Sequence, residues 1–331
     1  PLRGDGLVTP PDEPPGAAAR RPIIEVAGLR KHFRTRQGRL TAVDGIDFQV
    51  AAGAFVGYAG PNGAGKSTTI KMMTGILVPS AGRVTVDGLV PWRERRRLAR
   101  RIGVVFGQRS QLWWDLPLEQ SFELVRHLYR VPAGDHRRRL GELIEVLQLG
   151  PLLASPVRSL SLGQRMRSEL AAAVLPAPRV LFLDEPTIGL DVEAKAAVRS
   201  FLRELNRAEG TTVILTTHDL DDIAELCHRL LIIDHGQTIY DGTVEGLRRR
   251  YGTTRVLVVD LREDTEVVVV EGAKVVRAEG HRRWLEFGRD EVSAAELIAR
   301  IMAEHEVVDL TLEEPDIEDI VRRIYRGEAQ P

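Results

Sequence analysis

The chain has 331 residues, 43% of them hydrophobic, enough for one large buried core and a smaller second one. Its net charge is −1 with acidic and basic residues interspersed, so no whole-molecule field attracts nucleic acid or anionic lipid. No apolar run approaches the roughly 18 residues of a membrane-spanning helix, the N-terminus lacks an apolar signal core, and the single cysteine, Cys227, excludes an internal disulfide and reads as a buried apolar residue.

The opening stretch PLRGDGLVTPPDEPPGAAARRP, residues 1–22, is rich in proline and glycine and poor in large apolar residues, so it reads as a disordered tail. From Ile23 to about Val84, short β-rich runs (IIEV, IDFQV, AFVGYAG, RVTV) are separated by glycine and polar turns, and one helix begins among them at GKSTTIKMMTG. Residues from about 110 to 175 turn helical, with apolar spacing in LEQSFELVRHLY, RRRLGELIEVLQL and QRMRSELAAAVL. After this insertion RVLFLDE, VEAKAAVRSFLRELNRAEG and TTVILTTHD alternate as strand, helix and strand, which implies a buried parallel sheet with helices on its faces. The charged stretch EGLRRRYGTTR closes that unit, so the first domain is expected to span 23–250. Beyond it, VLVVDL, EVVVVEG, WLEF, a helix near SAAELIARIMAEH, a strand VVDLTL and a last helix IEDIVRRIY make a small α+β domain over 251–331. The expected fold is α/β: a mostly parallel core sheet with an antiparallel β subdomain, a helical subdomain and this α+β appendage.

GPNGAGKST matches G-x-x-x-x-G-K-[ST] through Gly60, Gly65, Lys66 and Ser67, with Pro61, Asn62, Gly63 and Ala64 between the glycines and Thr68 after them. It follows an apolar strand and opens a helix, the context in which backbone N–H groups and the helix dipole cradle a polyphosphate. Lysine is scarce here: only Lys31, Lys66, Lys71, Lys195 and Lys274 stand among 46 basic residues. Lys66 is therefore not explained by general usage, and a compact ammonium suits the β- and γ-phosphates, with Ser67 on Mg²⁺.

RVLFLDEPT ends an apolar strand with two adjacent acids. Asp184 suits a Mg²⁺ role and Glu185 can take the proton from an attacking water; capping of the next helix is the plainer alternative. His218, at the end of VILTTHD, can hold a γ-phosphate or orient the water, and Gln108, closing IGVVFGQ, can touch Mg²⁺ or water. A second anion site is written at LSLGQ, where Ser161 is a good helix cap and Gly163 and Gln164 leave backbone amides uncovered.

Taken in order, GPNGAGKST, LSLGQ, VLFLDEPTIGLD and TTHD resemble the ATP-binding cassette (ABC) ATPases over about residues 23 to 250. The resemblance implies ATP and Mg²⁺ as ligands, Phe33 for stacking on adenine, and Lys66, Ser67 and Thr68 for phosphates and metal. It further implies Gln108 as a metal- and partner-sensing glutamine, Asp184 assisting the metal, Glu185 as general base, His218 sensing the γ-phosphate and Asp191 as a cross-dimer loop aspartate. In that family the cap from Leu160 to Gln164 closes over ATP held by a second copy, so a homodimer with two composite sites is expected. Leu162 departs from the family's commoner glycine, which would matter if that position needed a positive φ.

A cassette without membrane helices needs something to move. The leading expectation is an ATPase subunit, cytoplasmic and peripheral on the inner face of the membrane, that drives export through separate transmembrane permease subunits. The FGQRSQLWWDLP segment and the short appendage resemble bacterial exporter ATPases. Trp113 and Trp114 either line a groove for a partner helix or lie buried in the helical insertion. The alternatives are a soluble cassette acting on DNA or ribosomes, which lacks support from any strong basic stripe, and a nucleotide-binding switch, against which Glu185 and His218 argue for turnover.

Overall fold

Two strands of 14 residues, β1 (Pro22–Thr35) and β2 (Gly38–Ala51), pair antiparallel, and β4 (Ala81–Val86) adds to the other edge of β1. Ile24, Val26 and Leu29 of β1 and Val43, Ile46, Phe48 and Val50 of β2 are buried in one core, while the distal ends of both strands are exposed. The runs IIEV and IDFQV mark only the apolar halves of these strands. Their polar halves carry no alternation to read, which is why the sequence shows shorter elements than the structure.

This computed structural model describes residues 22–36, 38–106, 110–217, 219–252, 254–262, 270–288, 291–313 and 317–325. The expected tail up to residue 21, Gln108, His218 and the first half of EVVVVEG lie outside them.

The central sheet has six strands in the order β5 (Ile102–Phe106), β6 (Val180–Asp184), β7 (Thr212–Thr216), β3 (Phe55–Ala59), β8 (Arg229–Asp234) and β9 (Gln237–Thr243). The first five are parallel and β9 is antiparallel to β8. Every residue of β3 and β7 is buried, as strands covered on both faces must be, and their apolar runs are continuous for that reason. Phe106, Asp184 and Thr216 sit side by side in register, so β5, β6 and β7 end level. Strands β8 and β9 and the helix α7 (Leu220–Leu226) have no counterpart in the sequence reading. β9 is an edge strand that alternates exposed and buried residues over a polar stretch, so composition hides it.

Helix α1 (Lys66–Met73) follows β3, and the short α2 (Arg95–Leu98) precedes β5. The helical insertion holds α3 (Leu118–Tyr129), α4 (Ala133–Val146) and α5 (Leu162–Val174), with α5 in contact with both others. Helix α6 (Val192–Glu209) starts at Asp191, whose carboxylate accepts from Ala194 N at 2.8 Å, and stops at Gly210. Cys227 is buried and its thiol pKa is raised by that burial. Among the described residues no helix is long and apolar enough to cross a membrane.

The chain divides into two compact units, Pro1–Thr243 and Val244–Pro331. Helix α8 (Val244–Tyr251), assigned by the sequence reading to the first domain, therefore falls with the second. That unit also contains β10 (Thr254–Leu261), β11 (Ala273–Glu279), β12 (Arg282–Gly288), α9 (Ala294–Glu304), β13 (Val307–Glu313) and α10 (Ile317–Tyr325). Its antiparallel sheet, ordered β11-β12-β10-β13, packs Leu257, Val259, Leu285 and Phe287 with Leu297 and Ile301 of α9. β11 is mostly exposed and was not legible as a strand.

Asp87, in the turn after β4, joins the antiparallel sheet to the amino ends of the core strands. Its carboxylate, 9% exposed, accepts from Arg101 Nη1 at 2.6 Å and from Arg179 Nη1 at 2.8 Å, and its backbone N–H donates to Ile23 O. Asp87→Ala is expected to lower the unfolding free energy by about 1–3 kcal/mol, because two guanidiniums lose a buried acceptor. Arg179→Ala, with a side chain 63% exposed, is expected to change it by less than about 1 kcal/mol. Urea denaturation of the three proteins checks that order.

Candidate functional site

The loop from β3 to α1 is shaped by glycines that nothing else can replace. At Gly65 the backbone is left-handed (φ +105°) and a Cβ would lie 2.4 Å from Ala42 O; at Gly60 it would lie 2.5 Å from Ile233 O. With Gly65 as its N-cap, α1 has no side-chain acceptor on its first amides, so these N–H groups and the dipole are available to an anion. Lys66 is 8% exposed, and its Nζ donates to Gly60 O and, at 3.1 Å, to Pro61 O. Burial lowers its pKa, opposed by the charges of Glu185 and Asp184.

Across from this loop Asp184 ends β6. One carboxylate oxygen accepts from Thr216 Oγ1 and the other from Ser67 Oγ at 3.4 Å, so the acid is held from β7 and α1 together. Capping, the plainer alternative, is not its job: the next helix is capped by Asp191. Glu185 follows in the left-handed region (φ +56°), a conformation costing a non-glycine residue on the order of 1–3 kcal/mol. Its N–H donates to Thr216 O at 2.8 Å, which holds the turn there.

Pro61, Asn62, Gly63, Gly65, Lys66, Ser67, Thr68, Asp184 and Glu185 thus line one cleft of about 470 Å³. Ala42, Lys71, Ile76 and Phe106 line it too, and sequence reasoning missed them. The scarcity of lysine that singled out Lys66 applied equally to Lys71, four residues along α1 from Ser67. Thr216, quoted within TTHD, received no role, although a hydroxyl at a strand end beside an acid was the available signal. Phe33 lies on β1, half-buried and opposite Leu40, with Lys31 Nζ 5.2 Å from its ring centroid; it is not among the residues lining the cleft.

The remaining site residues form a second group. Ser161 caps α5 in a reciprocal box: Ser161 Oγ accepts from Gln164 N at 3.2 Å and Gln164 Oε1 accepts from Ser161 N at 2.9 Å. The Gln164 amide is therefore covered, contrary to the expectation of a bare one. Leu162 is the first residue of α5 and has no positive φ, so glycine is not required there. Its side chain instead lies over Gly189, where an added Cβ would come within 2.3 Å of Leu162 Cδ2, and Gly163 faces Leu190. The cap thus packs on the loop that ends at Asp191, and none of Ser161, Gly163, Gln164 or Asp191 lines the cleft.

Gln108 and His218 fall outside the described residues, but the residues flanking 218 are anchored. On one side of 218, Thr217 is buried; on the other, Asp219 receives Lys195 Nζ at 2.8 Å. Burial, which pushes the Asp219 carboxyl up, is outweighed by this lysine, and the pKa lies below its ordinary value. The fully buried Asp222 binds Arg199, Thr187 and Thr217. Trp113 and Trp114 are 38% and 50% exposed, which removes the reading that buried them; the Arg165 guanidinium lies 5.4 Å from the Trp114 ring.

Bare helix amides and a buried ammonium thus face two carboxylates across one cleft, a donor set suited to a polyphosphate, and comparisons with known proteins show ATP-binding relatives. Residues 43–188 match the family model described as ABC transporter, and residues 242–325 match the C-terminal domain of DrrA1-3-like ATP-binding proteins. The chain is 36% identical to the daunorubicin resistance ATP-binding protein DrrA3 of Streptomyces coeruleorubidus, over 90% of this chain and 94% of that protein. It is 38% identical to the Nod factor export ATP-binding protein I of Ralstonia nicotianae, over 70% of each. A solved ATP binding subunit of an ABC transporter superposes with a TM-score of 0.64 at 28% identity, covering 70% of this chain and 93% of that one. The dimeric bacterial ABC transporter cassette MJ0796 superposes at 0.61 and 25% identity, covering 67% and 98%. The chain belongs to the ABC transporter family, as one of its ATP-binding, ATP-hydrolysing subunits.

Proposed function

We propose that two copies of this chain hydrolyse ATP in composite sites, and that their closure and release drive export through separate permease subunits at the inner face of the membrane. The observation that carries the composite site is the separation of the two residue groups: the cleft holds the phosphate loop and both acids, while the Ser161 cap lines no part of it. A cap that does not reach its own chain's cleft is free to close the cleft of another. The fold neighbour described as a dimeric cassette supports the same reading.

In each site the loop amides and Lys66 take the phosphates, Thr68 adding a hydroxyl. Ser67 Oγ and the Asp184 carboxylate are hard oxygen donors that would hold Mg²⁺, with Gln108 as a further donor, and an ion held there would supply charge neutralisation to the phosphate oxygens. Glu185, which lines the cleft, accepts the proton of the attacking water. His218 contacts the γ-phosphate, Asp191 communicates with the second copy, and Phe33, on β1 beside the β2 segment that brings Ala42 to the cleft, stacks on adenine at the cleft's margin. Ser161, Gly163 and Gln164 bring the helix N-terminus of the second copy to the triphosphate.

Export is favoured over import by the second unit. One relative, the methionine import ATP-binding protein MetN 3 of Shouchella clausii, is 32% identical over 69% of the chain, but the resistance protein DrrA3 matches across the appendage as well.

Glu185→Gln is expected to lower turnover by about 10²–10⁴-fold while ATP still binds and holds a dimer, measured by phosphate release and light scattering. Lys66→Ala is expected to weaken ATP binding by about tenfold or more, since a charge-assisted contact worth about 1.5–3 kcal/mol is lost; equilibrium binding of a fluorescent ATP analogue checks it. Ser161→Arg is expected to abolish most turnover while the affinity of a single chain for ATP is unchanged. Wild-type turnover in that variant contradicts the composite site.

A further inference from the structure

We infer that Glu169 is a positioning residue of the ATPase cycle, fastening the chain that leaves β5 to helix α5 and hence to the Ser161 cap. The inference rests on the roles proposed above for Gln108 and Ser161.

Glu169 lies two turns into α5 and is 5% exposed. Its neighbours Leu170, Ala171, Ala172, Ala173 and Val174 are apolar and buried, so packing alone calls for another apolar residue at this place. A buried carboxylate is costly unless donors meet it, and here they do. Ser110 Oγ donates to Oε1, the Gln111 backbone N–H donates to Oε1 at 3.2 Å and Oε2 at 3.1 Å, and Gln111 Nε2 donates to the Glu169 backbone oxygen at 3.0 Å. Burial nevertheless raises the pKa of this carboxyl, against the hydrogen bonds from Ser110 and Gln111. Beyond contacts within their own segment, the side-chain hydrogen bonds of Ser110 and Gln111 among the described residues all go to Glu169.

The consequence concerns the connection 107–109, which carries Gln108. At one end Phe106 is paired with Asp184, the proposed metal carboxylate. At the other, Ser110 and Gln111 are fixed to the helix whose first turn is the cap. A displacement of α5, as when the cap engages a second copy, is thereby delivered to Ser110 and Gln111, a few residues along the chain from Phe106, which lines the cleft. The Arg165–Trp114 contact adds a second tie from the same helix to the same segment.

Glu169→Leu keeps bulk and apolar packing but removes the acceptor; Glu169→Gln keeps Oε1 for Ser110 and Gln111. With full-length protein, Glu169→Leu is expected to lower kcat by about tenfold or more while KM for ATP stays within about twofold. Glu169→Gln is expected to recover most of that loss. Should Glu169→Leu not fold, Ser110→Ala combined with Gln111→Ala removes the Ser110 hydroxyl and the Gln111 side-chain amide but keeps the Gln111 backbone donor. That variant is expected to lower kcat by a smaller factor with KM again unchanged, and wild-type turnover in it overturns the inference. A Glu169→Leu protein that folds and turns over at the wild-type rate overturns the inference, as does a Glu169→Gln protein no better than Glu169→Leu. Ser161→Arg, assayed alongside, separates the two failures: impaired Ser161→Arg with unaffected Glu169→Leu removes the clamp alone, and unaffected Ser161→Arg removes the composite site on which it rests.

Discussion

The register that sets Phe106, Asp184 and Thr216 side by side governs everything at the cleft. Successive side chains of a strand point to opposite faces, so a slip of one residue in β6 would turn Asp184 away from Ser67 and put Leu183 in its place. Burial of Val180 to Leu183 in β6, and of all of β7 beside it, opposes such a slip, because it would exchange well-packed apolar faces for misfitted ones. The placement of the acids is therefore secured by apolar residues that do not line the cleft. Thr216 completes the arrangement by donating to Asp184 while its carbonyl receives the Glu185 amide.

A second constraint is steric. The phosphate loop approaches Ala42 O and Ile233 O so closely that Gly65 and Gly60 can carry no Cβ, which presses the loop onto two separate sheets. Lys66, buried among the loop's own carbonyls, holds its charge where a polyphosphate offers stronger acceptors. Exchange of those neutral partners for anionic ones is the physical basis of the proposed binding mode.

The division between cleft and cap carries the proposed mechanism. Within one chain the cap is finished locally: Ser161 and Gln164 satisfy one another, Leu162 covers Gly189, and Asp191 caps α6. The positions the resemblance assigns to a partner copy thus already have structural work in their own chain. Their proposed role across a dimer is added to that work and does not replace it, and Glu169, two turns along α5, is the group through which such contact would be felt at Ser110 and Gln111.

Much of this was legible in the residues. The phosphate loop, the two acids after an apolar strand, the Ser161 cap and the helices of the insertion are local patterns, set by spacing within a single element, and local spacing is what a sequence records. The polar halves of β1 and β2, the edge strand β9 and the exposed β11 were not legible, because their stability comes from pairing with distant strands and leaves little mark on composition. By itself, then, the sequence determined the groups on offer: a glycine loop opening a helix with a lysine, two adjacent acids ending an apolar strand, and a second helix cap. Tertiary structure alone decided the order of the strands, the levelling of their ends, the supporting Thr216, Glu169 and Asp222, and the exclusion of the cap from its own cleft. The physical reason is that long-range packing chooses which elements become neighbours, and no spacing along the chain encodes that choice.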